Sequence, residues 1–136
     1  LAWFIICLVF NKRITIFGNG KQVRDVLYVD DLINAYDLAF ININKTKGKV
    51  YNIGGGIQFN LSLLESFKII EKTVGKKLNF SLSSWRPADQ KVYISDVASA
   101  KKDFGWYPKI SPEDGLKKLY KWVKENKSFF NKIYIK

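Results

Sequence analysis

Helix-start signals alternate with short apolar runs along this chain, and this pattern constrains its fold more than any other feature. Ser62 and Glu65 form a capping box at the start of one amphipathic segment, which Gly75 ends. Ser111 and Pro112 begin another such segment, with a cap residue followed by proline at the first helical position. Short runs of strand-like composition separate these segments. The alternation predicts a mixed α/β fold with short strands in one compact unit.

The other predicted elements come from the same signals. Residues 1–10 are almost wholly apolar and predict a buried helix, because ten residues are too few to span a bilayer. The remaining elements are, in chain order, a strand at 14–17, an extended segment at 23–28, a helix capped by Asp30 or Asp31 and running to about Ile43, a short buried strand at 50–53, a strand at 78–82 and a short helix at 96–105. The last helix should end near Asn126 and leave residues 127–136 as a loosely held tail.

The formal net charge of +11 raises the question of a nucleic-acid partner, since neutralisation of phosphates drives such binding. Of the 23 basic residues only Arg13, Arg24 and Arg86 are arginines. The lysines are spread along the chain and lack the interleaved arginines and aromatics of a single-strand binder. A solvated surface without a nucleic-acid partner is therefore favoured, and a basic nucleic-acid-binding module stays as an alternative.

Several kinds of chemistry are unsupported by the sequence. One cysteine allows no disulfide within the chain, and without histidine a typical zinc site is not expected. The glycines at 54–56 fail the dinucleotide fingerprint because Phe59 stands at its last position. Tyr120 and Lys124 have the Tyr-x-x-x-Lys spacing, but on a terminal amphipathic helix this spacing only puts both residues on one face. No catalytic and no metal-binding residue is predicted.

Two of the arginines indicate a binding site. Arg24 lies in the segment 22–25 and Arg86 in the segment 86–89, each of which ends in an aspartate. A guanidinium group can grip a phosphate through two parallel hydrogen bonds, which a lysine cannot do. Two such groups from separate segments could clamp a diphosphate. The alternative, in which each arginine pairs with its neighbouring aspartate, stays open from the sequence.

Two longer strings together resemble a known family. Residues 14–32, ITIFGNGKQVRDVLYVDDL, resemble the segment that opens the C-terminal part of the extended short-chain dehydrogenase/reductases, which are the NAD-dependent nucleotide-sugar epimerases and dehydratases. Residues 85–96, WRPADQKVYISD, resemble that family's Arg-x-x-Asp substrate segment and the strand after it. Residues 51–56 (YNIGGG) and 104–108 (FGWYP) stand in the family's order, so the resemblance covers essentially the whole chain.

The resemblance implies that residues 1–136 are the C-terminal substrate-binding portion of a Rossmann-type enzyme, with about four to five helices. Arg24 and Arg86 would hold the diphosphate of a nucleotide sugar, a CDP-sugar in particular. Asp89 would bind a ribose hydroxyl, and Phe17 and Gln22 would lie along the nucleotide-binding wall. A UDP-sugar 4-epimerase or a dTDP-sugar 4,6-dehydratase would share these features, so the sugar nucleotide stays open.

The resemblance also implies what this chain lacks. The family's NAD-binding loop and catalytic Tyr-x-x-x-Lys pair belong to an N-terminal Rossmann core of about 150 residues or more. NAD would be bound mainly by that core, so the polypeptide is expected to be part of a longer enzyme and inactive alone. A cytoplasmic location is expected, and the full-length enzyme could be a homo-oligomer.

Overall fold

Five short strands form two small sheets in the part of the chain that the structure describes. This computed structural model describes residues 1–134, with side chains through residue 130. In one sheet, β1 (Ile14–Phe17) pairs in parallel with β4 (Phe80–Ser83). In the other, β2 (Val23–Asp25) lies between the antiparallel β3 (Asn60–Ser62) and the parallel β5 (Val92–Tyr93). The predicted strand at 14–17 and most of the one at 78–82 are therefore present.

Seven α-helices surround the strands within residues 1–134. They are α1 (Ala2–Val9), α2 (Val29–Ile41), α3 (Ile43–Thr46), α4 (Leu63–Val74), α5 (Ala98–Phe104), α6 (Pro112–Glu125) and α7 (Lys127–Tyr134), with a 3₁₀ turn at Gly56–Gln58. The predicted α/β class is confirmed. The helices outnumber the expected four to five because a short α3 follows α2 and α7 follows α6. None of these described helices is long and apolar enough to cross a membrane.

The main hydrophobic core lies between β1 and the helices α1, α4 and α6. Ile14 and Ile16 point into it from β1 and are almost fully buried. The central residues of α1 are buried there as well, which confirms the buried helix predicted from the apolar first ten residues. Cys7 is one of them and acts as a small apolar side chain. Because Ile14 and Ile16 are buried in this core, the position of β1 and of the chain that follows it is fixed.

The predicted helix caps are present on α4 and α6. The Oγ atom of Ser62 accepts a hydrogen bond from the backbone N–H of Glu65 at 3.2 Å, and the N–H of Ser62 donates to Glu65 Oε2 at 2.8 Å. Hydrogen bonds from the Ser62 hydroxyl and from its backbone N–H lower the pKa of Glu65. On α6, Ser111 Oγ accepts from the N–H of Asp114 at 3.1 Å. Both helices thus begin where the sequence predicts.

The predicted aspartate cap of α2 is wrong. The helix begins after Tyr28, which makes no side-chain cap, and Asp30 and Asp31 lie in its first turn. Asp31 is 4% exposed, and its Oδ2 accepts the backbone N–H groups of Lys109 at 3.0 Å and Ile110 at 2.8 Å. A carboxylate buried with two backbone donors is a tertiary anchor, and it holds the segment before α6 against α2.

The fully buried Trp106 completes this anchor. Its indole Nε1–H donates to the carbonyl oxygen of Asp31 at 2.9 Å. Together with Ala35, Ala100 and Phe104 it forms a second, smaller core between α2 and α5. Asp31 therefore organises contacts through both its side chain and its backbone.

The predicted buried strand at 50–53 is also wrong. Residues 50–53 form no strand, and Val50 is 94% exposed. The Tyr51 hydroxyl instead donates to Asp103 Oδ2 at 2.8 Å, and Lys49 Nζ bonds the same oxygen at 2.8 Å. These two bonds lower the pKa of Asp103, the one from Lys49 having the larger effect. A strand needs a partner to pair with, and residues 50–53 pair with none of the described strands.

One face of α2 is apolar and open. Val29, Ile33, Tyr36 and Phe40 recur at intervals of three or four residues and are 52–77% exposed. The opposite side of the helix packs through Ala35 against the second core. A helix with apolar side chains on two sides is typical of an element that packs on both.

The segment predicted as a loosely held tail begins with α7. Phe130 packs edge-on against Trp122, with 5.8 Å between the ring centroids. Residues 135–136 lie outside the described residues. How tightly the segment 127–136 is held stays a prediction.

Replacing Asp31 by alanine should destabilise the fold strongly. The backbone N–H groups of Lys109 and Ile110 would lose their shared acceptor, so we expect the free energy of unfolding to fall by about 3 kcal/mol. Asp30→Ala is the matched control, because Asp30 is exposed and only 3.8 Å from Lys118 in a solvent-screened pair. Its effect should stay below about 1 kcal/mol. Urea unfolding of both variants measures the difference, and equal losses would refute the anchor.

Candidate functional site

The candidate site lies where β1 and β4 end. The two strands run parallel, so their C-terminal ends meet at one edge, with Phe17 opposite Ser83. From there the loop 84–91 crosses to β5 in the other sheet, and the Val23 N–H donates to the carbonyl of Lys91 at 2.9 Å. The end of β1, the start of β2 and this loop therefore come together.

Trp85 fixes the beginning of this loop. Its ring lies on Gly18, where a Cβ atom would be 2.7 Å from two ring carbons. Gly18 also has a φ of +87°, a conformation that side chains disfavour. Two separate constraints therefore favour glycine at this position: the positive φ, and the lack of space for a Cβ atom beneath the Trp85 ring.

Arg86 lies over the ring of Phe17. Its guanidinium carbon is 3.8 Å from the ring centroid, the distance of a stacked cation–π contact. The loop then turns, because the Asp89 N–H donates to the carbonyl of Arg86 at 3.2 Å. Pro87 at the second position and Ala88 with a φ of +60° at the third are features of a type II turn. The turn brings Asp89 back towards Arg86.

Arg24 is bound to Asp89. Its Nη2 donates to Asp89 Oδ1 at 2.9 Å, and its Nη1 donates to the carbonyl of Val23 at 2.8 Å. The neighbouring Asp25 is used elsewhere, since its Oδ2 accepts the backbone N–H groups of Gly56 and Ser95. The alternative in which each arginine pairs with its neighbouring aspartate is therefore wrong for both arginines.

Gln22 is buried beside Phe17. It is 5% exposed, and its Nε2 donates to the carbonyl of Phe17 at 2.7 Å. Its Oε1 is buried and has no hydrogen-bond partner among the described residues. A buried acceptor without a partner is uncommon in folded proteins.

One cleft of about 460 Å³ connects these groups. Phe17, Gln22, Arg86 and Asp89, four of the five residues predicted for the site, line it. The fifth, Arg24, meets this cleft through Asp89 and itself lines a second cleft of about 470 Å³, which Tyr28 and Ile110 also border. The structure thus brings all five predicted residues together, while their roles stay predictions.

Arg13 and Trp3 also line the cleft of about 460 Å³, and neither was predicted as a site residue. The signal for Arg13 was available, because side chains alternate along a strand. Ile14 and Ile16 face the core, so Arg13 and Phe17 share the opposite side with Thr15. Trp3 comes from α1, whose placement beside β1 depends on tertiary packing and leaves no signal in the local sequence.

The cleft carries a surplus of positive charge. Asp89 neutralises Arg24. Within the part of the chain that the structure describes, no carboxylate lies within 4.0 Å of the Arg13 or Arg86 guanidinium nitrogens. Two uncompensated guanidinium groups in one concave site favour a ligand with more than one negative charge.

Among the described residues, neither a metal-binding cluster nor a Tyr-x-x-x-Lys pair lies at this site. No group of three histidine, cysteine, aspartate or glutamate side chains among them could hold a metal ion. Tyr120 packs against the main core, and Lys124 lies on the exposed side of α6. Neither residue lines the cleft. The arrangement can bind and orient an anionic ligand.

Comparison with known proteins agrees with the resemblance seen in the sequence. A family model described as GDP-mannose 4,6 dehydratase matches residues 5–119. CDP-paratose 2-epimerase from Salmonella typhi is 44% identical over 113 residues, which are 83% of this chain and 33% of that enzyme. This chain belongs to the NAD-dependent epimerase/dehydratase family. UDP-glucuronate 4-epimerase from Thermodesulfobacterium geofontis (strain OPF15) is 34% identical over 132 residues, 97% of this chain and 40% of that enzyme.

The fold of this epimerase/dehydratase chain matches solved structures of the family. UDP-glucuronic acid 4-epimerase from Bacillus cereus, in complex with UDP-glucuronic acid and NAD, superposes with a TM-score of 0.82 at 31% identity. The match covers 90% of this chain and 38% of that enzyme. The predicted family and its C-terminal α/β fold are confirmed, and the chain spans between a third and two fifths of the length of these relatives.

NAD is the cofactor of this epimerase/dehydratase family. A Rossmann-type site for it needs a glycine-rich turn between a strand and the N-terminus of a helix. Here the turn at Gly18–Gly20 connects two strands, and Gly54–Gly56 leads into a single 3₁₀ turn. The described residues therefore do not form such a cradle.

Gly18→Ala should destabilise the site more than a similar change elsewhere. Gly48→Ala is the matched control, because Gly48 has a φ of +72° but no atom within 4 Å of an added Cβ. We expect the control to lower the free energy of unfolding by about 1 kcal/mol through backbone strain alone. Gly18→Ala should lose about 1–3 kcal/mol more, because the Cβ must displace Trp85.

Urea unfolding, followed by far-UV circular dichroism, measures both glycine variants. Equal losses would show that Trp85 moves freely and does not fix the loop. A larger loss for Gly18→Ala would support the packing of the indole on this turn as the origin of the loop's position.

Proposed function

We propose that this chain supplies the nucleotide-diphosphate part of the substrate site in an NAD-dependent nucleotide-sugar epimerase of the CDP-paratose 2-epimerase type. The observation that carries the proposal is the stacking of Arg86 on Phe17 beside the Arg24–Asp89 ion pair. This arrangement lies in a positively charged cleft of about 460 Å³, a size in the range of small-ligand sites.

Arg86 is suited to bind the diphosphate. The stack on Phe17 holds the plane of the guanidinium group and leaves the N–H groups at its edge free for a ligand. Two parallel bonds from this edge to phosphate oxygens would form without much loss of side-chain freedom. The exposed position of Arg86 at the rim of the cleft supports this role.

Arg24 and Asp89 act as a unit in this proposal. Arg24 donates one hydrogen bond to the carbonyl of Val23 and one to Asp89, and its remaining N–H groups can bind a phosphate oxygen. The ion pair occupies Asp89 Oδ1, while Oδ2 has no hydrogen bond within the described residues. Oδ2 is thereby available to accept a hydrogen bond from a ribose hydroxyl, and Arg24 holds the carboxylate in place for it.

Phe17 and Gln22 form the wall along which the nucleotide would lie. Phe17 contributes an aromatic surface, and the buried Oε1 of Gln22 needs a donor. The wall itself is kept in place by the hydrogen bond from Gln22 to the carbonyl of Phe17.

The substrate we propose is a CDP-sugar. The support is the 44% identity to an enzyme named CDP-paratose 2-epimerase. UDP-sugar 4-epimerases and dTDP-sugar 4,6-dehydratases stand as alternatives, because enzymes named UDP-glucuronate 4-epimerase and dTDP-glucose 4,6-dehydratase match at 34% and 30% identity.

NAD binding and proton transfer would come from a further part of the fold. The chain spans 33% of the paratose epimerase, and the exposed apolar face of α2 offers a surface on which more polypeptide can pack. We therefore propose that this polypeptide binds the substrate nucleotide but does not turn it over alone. A cytoplasmic location and assembly of the full-length enzyme as a homo-oligomer belong to the same proposal.

Isothermal titration with CDP tests the proposed site on this chain. Arg86→Ala should weaken CDP binding about tenfold or more, because charge-assisted bonds to the diphosphate are lost. Asp89→Asn should weaken it as well, since the ion pair with Arg24 is removed. Lys76→Ala removes one positive charge from an exposed residue that does not line the cleft, and it should change the affinity less than about twofold.

The three variants distinguish a built site from general attraction of an anion to a basic protein. Equal weakening by Arg86→Ala and Lys76→Ala would contradict the proposal. Undetectable binding of CDP to the unaltered chain would contradict it too.

A further inference from the structure

We infer that Arg13 reads the nucleobase and makes this site selective for cytosine over uracil. The inference rests on the proposed function, which gives the cleft its nucleoside diphosphate. It adds a role for an arginine outside the two arginine segments and identifies the chemical edge of the base that this arginine would contact.

The position of Arg13 follows from the register of β1. Arg13, which directly precedes β1, lines the cleft together with Thr15 and Phe17, as expected for alternate residues of an extended chain. At roughly 3.3 Å per residue, the Cα atoms of Arg13 and Phe17 are about 13 Å apart. Arg86 stacks on Phe17, so the two uncompensated arginines lie towards opposite ends of this row.

This separation matches the order of groups in a nucleoside diphosphate. With the diphosphate at Arg86 and the ribose at Asp89, the base is the group that remains to occupy the far part of the same cleft. Trp3 and Phe4 of α1 line that cleft together with Arg13. Aromatic side chains suit a flat heterocycle, because stacking on them is favourable for any base.

The guanidinium group of Arg13 is available to a ligand. Arg13 is exposed at the cleft, and no carboxylate of the described residues lies within 4.0 Å of its nitrogens. No hydrogen bond or cation–π contact in the described part of the chain engages it either. Two parallel N–H donors of Arg13 are therefore available to a base.

The chemistry of the two pyrimidines then decides the preference. Cytosine presents two neighbouring acceptors, N3 and O2, which match the two parallel N–H groups of an arginine fork. Uracil carries a hydrogen on N3, so the fork meets a donor beside each of its oxygen acceptors. Arginine has only donors and cannot accommodate that hydrogen. A good bidentate pair of this kind discriminates between bases by about tenfold or more.

Titration of the chain with CDP and with UDP tests the inference, since these ligands differ only in the base. We expect the unaltered chain to bind CDP about tenfold or more tightly than UDP. Arg13→Lys keeps the positive charge but removes the fork, so the ratio of the two affinities should fall towards one while UDP affinity changes little. Arg86→Ala should weaken both ligands alike and preserve the ratio.

The outcomes separate this inference from the proposed function. Equal affinities for CDP and UDP in the unaltered chain, or a preference that survives in Arg13→Lys, would overturn the role of Arg13 and leave the diphosphate site standing. No binding of either ligand, or no effect of Arg86→Ala on binding, would overturn the proposed function and this inference together.

Discussion

Parallel pairing of β1 with β4 is the constraint on which the rest of this structure depends. It places the ends of both strands at one edge, so that Phe17 meets the chain that leaves Ser83. The loop 84–91 then crosses to the second sheet, and Trp85 at the beginning of this loop packs on Gly18. Arg86 and Asp89 reach the wall of β1 and the start of β2 for the same reason. The cleft is thus a consequence of strand direction.

The basic residues of this protein fall into two groups, lysines spread over the surface and three arginines at or beside the candidate site. The net charge of +11 is carried mostly by lysines on the surface, where single charges are screened by salt. The three arginines are different, because Arg13 and Arg86 line one cleft and Arg24 is bonded to Asp89 of the same cleft. One is neutralised by Asp89 and oriented by it, and the other two remain available to a ligand. Geometry, more than total charge, sets the character of the site.

The sequence allowed local structure to be predicted well and tertiary pairing poorly. The capping box at Ser62 and the cap at Ser111 use contacts three residues apart, so both were predictable. The partner of Arg24 lies 65 residues away, and no local rule distinguishes it from Asp25. Asp31 was predicted as a helix cap from its position at the start of a helical segment. Its role as an anchor left no local signal, because its two backbone partners, Lys109 and Ile110, are 78 and 79 residues away along the chain. The strand predicted at 50–53 is absent, because a segment with strand propensity forms a strand only where a neighbouring strand pairs with it.

Backbone amide chemical shifts during titration with CDP test most directly whether the cleft between β1 and the loop 84–91 holds the nucleotide. The shifts should be concentrated in residues 13–24 and 85–89, with those of Tyr28 and Ile110 in the second cleft unchanged. Shifts concentrated at Tyr28 and Ile110, or spread over the lysine-rich surface of α6, would contradict a single site built on the two parallel strand ends.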